Sequence, residues 1–120
     1  MPSDFAEVLA DLVGEIPGAQ AAVFLDWEGE AVDQFGHLPE FDIKLLGAHW
    51  GVVLNLIRTR VPQEVLGSPK VLLLVCRDAV VLLGVVELDY YLVLTIRPDS
   101  NLGLALRKMA VAAEAIRALM

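Results

Sequence analysis

Phe5, Val8, Leu9, Leu12, Val13 and Ile16 recur at i, i+3, i+4, i+7, i+8 and i+11. That repeat places one apolar stripe along an amphipathic helix. Glu7, Asp11 and Glu15 take the other face. Asp4 stands at the capping position, with Glu7 three residues on as in a capping box, and Gly14 and Pro17-Gly18 end the helix. Residues 19–25 are then a short apolar run that predicts a strand. Residues 26–29, Asp-Trp-Glu-Gly, predict a tight turn, with Asp opening it and Gly available for positive φ. Residues 30–35 predict a second strand, whose mixed polarity suits the edge of a sheet.

After a loop over 36–40, residues 41–60 predict a long helix that is apolar on more than one face. Leu45, Leu46, His49, Val52, Val53, Leu56 and Ile57 make one face, and Ile43, Trp50, Leu54 and Val61 lie on another. Gly47, Ala48 and Gly51 form a strip of small residues. A helix apolar nearly all round is buried nearly all round. One sheet covers one side, so a second subunit is the economical cover for the other, with the small residues allowing close approach. The expected dimer interface is Gly47, Ala48, Trp50, Gly51 and Leu54. Pro62 stops the helix and residues 62–69 read as a loop.

Three strands follow with no helix between them, over residues 70–77, 79–88 and 90–97. Their connections are too short for a parallel crossover, so they pair as antiparallel hairpins. LLLVC and VVLLGVVEL are continuous rather than alternating, which predicts a sheet covered on both faces. Pro98-Asp99-Ser100 opens a last helix with a stripe of Leu102, Leu106, Met109, Ala113, Ile116 and Met120. The predicted fold is α+β: a five-stranded antiparallel sheet with helices on both faces, in the order αββαβββα.

Composition sharpens this picture. The chain has 120 residues, which reads as one domain over 1–120, and 57% of them are hydrophobic, a surplus that needs a destination in a large core or against a second chain. The longest apolar runs, 71–76 and 79–86, fall well short of the ~20 residues a bilayer span requires. The acidic start lacks the basic stretch of a signal peptide. Cys76 has no cysteine to pair with, and is expected to be a buried thiol in a cytoplasmic protein. The net charge of −7 is uneven: ten acids and no base precede Lys44, whereas six acids and nine bases follow from Lys44 onward. That field disfavours a nucleic-acid backbone as the main partner and steers a basic surface toward the N-terminal half.

The chain carries no GxxxxGK[ST], GxGxxG, HExxH or GxSxG. His37 and His49 have no partner at metal-ligand spacing. The first reads as a solvated loop residue and the second as a core or interface histidine. Neither a metal nor a cofactor is expected, and no enzyme activity. Trp27 sits between acids at the hairpin tip, where it serves as a partner anchor or folds back onto the sheet. Trp27, Glu28 and Glu30 are the partner-binding candidates. Tyr90 and Tyr91 suit cross-strand packing, and Arg97 suits a salt bridge near the cap of the last helix.

Four motifs on these elements carry a resemblance: Ile16-Pro17-Gly18-Ala19, Asp26-x-Glu28-Gly29, Leu46-Gly47-Ala48 and Asn101-Leu102-Gly103-Leu104. Over essentially its whole length the chain resembles the Roadblock/dynein-light-chain superfamily, in particular its bacterial Mgl-type regulators. The resemblance implies a homodimer paired through the central helix and an adjoining strand. It also implies a non-catalytic platform for a small Ras-like GTPase in cell polarity or motility, some relatives activating GTP hydrolysis without an arginine finger. With nothing beyond Met120, the chain reads as a bare domain, for which the alternative is an adaptor binding another Roadblock protein without effect on GTP turnover. A third reading is a small-molecule sensor, which requires a large closed pocket.

Overall fold

The computed structural model describes residues 4–87 and 89–120. The elements are α1 (Asp4–Gly14), β1 (Ala19–Asp26), β2 (Ala31–Gly36), α2 (Glu40–Arg60), a one-turn α3 (Gln63–Leu66), β3 (Val71–Val75), β4 (Val80–Glu87), β5 (Tyr90–Ile96) and α4 (Leu102–Leu119). The five strands form one antiparallel sheet in the order β2-β1-β5-β4-β3. The order of elements is as expected from the sequence, with α3 added inside the 62–69 loop. The proposed cap of α1 involves the start of a helix whose preceding residues lie outside those described, as does Leu88 at the expected end of β4.

Helices α1 and α4 share one face of the sheet and α2 has the other to itself. This gives two cores. Leu9, Leu12, Phe24, Leu82, Leu94, Met109 and Ile116 belong to the first; Val23, Leu25, Ile43, Leu54, Leu83 and Val93 belong to the second. Strands β1, β4 and β5 are sandwiched between the two, which is why their apolar runs do not alternate. Gly18 holds φ at 94°, and Arg97 donates its N–H to the Gly18 carbonyl at 2.9 Å, which fixes the turn from α1 into β1 against the end of β5.

Four local expectations are revised. The buried stripe of α4 is Ala105, Met109, Ala112 and Ile116, whereas Leu102 and Met120 are exposed. The alanines let α4 lie close to the sheet, so small residues rather than leucines face inward. Asn101 rather than the Pro98–Ser100 segment caps α4, its Oδ1 accepting the Leu104 N–H at 3.0 Å. Coverage of both sheet faces fails at β3, where no helix contacts the strand closely and Val71 and Val75 are exposed. Cys76, expected to be buried, is exposed for the same reason: it follows β3 on the uncovered side of the sheet.

Candidate functional site

Which face of α2 meets the sheet is decided by its glycines. Ile43, Gly47, Gly51 and Leu54 are its buried residues. A Cβ on Gly47 would stand 3.0 Å from Val23 Cγ1, and one on Gly51 would collide with Leu25. The small-residue strip therefore seats α2 on its own sheet. Gly47, Gly51 and Leu54, expected at a dimer interface, are buried within the chain, while Ala48 and Trp50 are half-buried at the margin. The far end of α2 is tied down by Arg58, whose Nη1 donates to the Tyr91 hydroxyl at 2.7 Å, and by Asn55, whose Oδ1 accepts from that hydroxyl at 3.5 Å.

The opposite face of α2 is apolar and uncovered. Leu45, Val52 and Leu56 are 44%, 53% and 52% exposed, and His49 is exposed among them. A shallow groove of about 550 Å³ runs beside them, lined by Leu46, Ala48, His49, Trp50, Val52 and Val53. On the same side of the sheet Leu72 and Leu74 of β3 are only partly buried. One helix cannot pave five strands at ~4.8 Å spacing, because two helices pack about 8–10 Å apart. The half of this face toward β3 is therefore bare, and it continues into the free backbone edge of β3.

The first hairpin lies against the middle of α2. Asp26 Oδ1 accepts the N–H groups of Glu28 at 2.9 Å and Glu30 at 3.0 Å, and the Asp26 carbonyl accepts the Gly29 N–H at 3.0 Å. Gly29, at φ 86°, passes so close to Ala48 that a Cβ would stand 3.2 Å from the Ala48 carbonyl oxygen. Trp27, Glu28 and Glu30 project from this tip and are exposed, Trp27 by 56%. Trp27 does not fold back onto the sheet. The structure thus joins the three partner-binding candidates to Ala48 in one continuous surface.

The other singled-out residues have structural roles or none. Tyr91 is buried, and Tyr90 packs on the Phe24 ring at 5.6 Å between centroids. Arg97 pairs with Asp99 at 3.4 Å in the open, so it is a surface ion pair near the cap of α4. His37 is exposed and lies beside the Phe35 ring. Among the described residues no three His, Cys, Asp or Glu side chains converge as a metal site, and no helix is long and apolar enough to cross a membrane. The exposed apolar positions Val71 and Val75 were missed in the sequence. The signal was the place of β3 as the first strand of its meander, which pairs with β4 and no other strand.

No family model and no curated protein matches the sequence significantly. Solved structures do match in shape. A Roadblock/LC7 domain from Streptomyces avermitilis superposes with a TM-score of 0.86 at 16% identity, covering 98% of each chain. MglC from Myxococcus xanthus gives 0.71 at 23% identity over 98% of this chain and 100% of that one. The gliding protein MglB from Thermus thermophilus gives 0.80 at 17% identity over 93% and 84%. The chain has the Roadblock fold.

Proposed function

We propose that this chain is a homodimeric, non-catalytic regulator or scaffold of an Mgl-type module, acting on a small Ras-like GTPase. The observation that carries the reading is the uncovered apolar surface formed by Leu45, Val52 and Leu56 of α2 and continued by β3. A monomer gains nothing by exposing it, and a second copy related by a two-fold axis buries it against itself. The dimer surface is therefore the outward face of α2 with Ala48 and Trp50 at its margin, not the glycine strip. The likeness to MglB and MglC supports the choice of module. The hairpin tip, with Trp27, Glu28 and Glu30, is the partner-binding element beside the dimer surface, and its acids suit a basic partner patch.

The alternative, an adaptor for another Roadblock protein, uses the same surfaces and differs in its effect on turnover. Adding the purified chain to candidate small GTPases and following phosphate release separates the two. Faster or slower turnover supports regulation; complex formation with unchanged turnover supports the adaptor. The grooves at β2 and beside α2 are open, whereas a sensor calls for a closed pocket.

A further inference from the structure

The sheet has a second free edge, on β2. It lies at the opposite end from β3, so pairing of two copies through α2 and β3 leaves it open. The phase of the β1–β2 ladder shows which backbone groups it offers. His37 donates its N–H to the Gln20 carbonyl at 2.8 Å. By the two-residue alternation of an antiparallel pair, Gly36 and Gln34 direct their N–H and C=O groups away from β1. Consistent with this, the Gln34 N–H is met by the Asp33 carboxylate at 2.8 Å rather than by a strand. A register shift between Phe24 and Leu25 breaks the ladder opposite residues 31–33, which confines regular addition to the Asp33–His37 end.

A groove of about 490 Å³ lies beside this edge, between β2 and the N-terminal turns of α2, with Leu38, Glu40, Ile43 and Lys44 on the helix side. Gln34 lines it, and its Oε1 is buried without a hydrogen-bond donor. Val32, Phe35 and Phe41 are exposed nearby and supply apolar contact. The charge is acidic. Asp33 and Glu40 line the groove, Glu28, Glu30 and Asp42 are exposed around it, and its one base, Lys44, is held by Glu40 at 3.5 Å. A helix would leave the outward backbone groups of β2 unpaired, and a nucleic acid would meet five carboxylates. An extended basic chain satisfies both the backbone groups and the charge.

We propose that the β2 edge and the groove beside α2 bind an extended, lysine- or arginine-rich segment of a partner protein as an added sixth strand. The segment pairs its backbone with Gly36 and with the Gln34 carbonyl, and the cationic side chains on its α2-facing side meet Glu40. The Gln34 Oε1 accepts a donor from it. This site is independent of the dimer surface, since it uses neither the outward face of α2 nor β3, and it shares Glu28 and Glu30 with the hairpin element of the proposed function.

The test is an NMR titration of the full chain with a peptide of alternating lysine and valine, long enough to span the edge and blocked at both ends. Amide shifts are expected at Gln34 and Gly36 with slowed hydrogen exchange at Gly36, and Glu40→Lys should weaken binding without lowering the melting temperature. Two further peptides carry N-methyl groups on all lysine amides or on all valine amides, which leaves the charge unchanged. Strand addition uses one set of amides, so one of the two should lose about tenfold or more in affinity through lost hydrogen bonds while the other binds like the parent. Equal binding by both methylated peptides overturns the proposal in favour of charge attraction alone. Absence of binding, or shifts gathered on α2's outward face, on β3 or on α4, also overturns it.

Discussion

The two edges of the sheet manage the same hazard in opposite ways. Both present a row of backbone groups able to recruit another strand. β2 is guarded: its register is broken opposite β1, Asp33 occupies an outward N–H, and acids surround it. Such devices let an edge persist in solution without pairing to itself. β3 has none of them. It reads VLLLV, pairs with β4 in unbroken register, and exposes Val71 by 49% and Val75 by 77%. An unguarded apolar edge that continues into an apolar helix face is the signature of a surface buried in an assembly, while a guarded one suits an occasional partner of opposite charge.

The largest expected effect tests β3. Val71→Lys with Val75→Lys places two like charges on the unguarded edge, and both side chains are exposed, so the chain should still fold. In a homodimer the two substitutions meet their own copies across the axis, and the dissociation constant should rise by ~100-fold or more, about 3 kcal/mol of lost affinity. Sedimentation of the parent at micromolar concentration should give about twice the 13.0 kDa chain mass, and the variant should sediment as a single chain. A variant that keeps the doubled mass removes β3 from the interface.

The next effect concerns the hairpin that leads into β2. Gly29→Ala introduces a Cβ at φ 86° and within 3.2 Å of the Ala48 carbonyl oxygen. A loss of about 1–3 kcal/mol is expected from the strained backbone alone, read as a lower urea midpoint with unchanged m. Unchanged stability would mean that the turn does not hold Gly29 at positive φ.

How much of this was legible in the sequence follows from what periodicity encodes. It recovers α1 because Leu9, Leu12 and Val13 face one core, and it recovers β2 as an edge because its polarity is mixed. It does not reveal which face of α2 meets the sheet. Leu and Val on the outer face and Gly on the inner face invert the usual signal, since contact there is made by Val23 and Leu25 reaching up to a bare backbone. Nor does it mark β3 as an edge. VLLLV reads like a central strand, and only pairing order separates the two cases. The partner-binding candidates were readable because turn chemistry at Asp26 and Gly29 fixes the hairpin tip, which leaves Trp27 and Glu28 at its apex.

A smaller, kinetic effect is expected at that apex. Reversing Glu28 and Glu30 to lysine should slow association with a basic partner several-fold at physiological salt, where charges act over ~8 Å, whereas reversing Glu64 on α3 should not. Stopped-flow association at two salt concentrations reads the difference. Trp27→Ala should act on the off-rate instead, as expected of an anchor. Rates indifferent to both salt and the Glu28/Glu30 reversal would move the partner to another surface.

The smallest effect is the counterpart of the first. Phe35→Lys puts a lysine on the guarded edge, at a side chain 37% exposed beside His37. The ammonium has acids for neighbours, Asp33 on the same strand among them, so it is accommodated rather than repelled, and its stem still covers apolar surface. Stability should change by no more than about 0.5–1 kcal/mol, the cost of part of one half-buried ring. The sedimenting mass should match the parent. The same kind of substitution would then split the dimer at one edge and leave it whole at the other. If instead Phe35→Lys yields single chains and the Val71/Val75 variant keeps the doubled mass, β2 and not β3 holds the copies together, and the division of labour between the two edges is reversed.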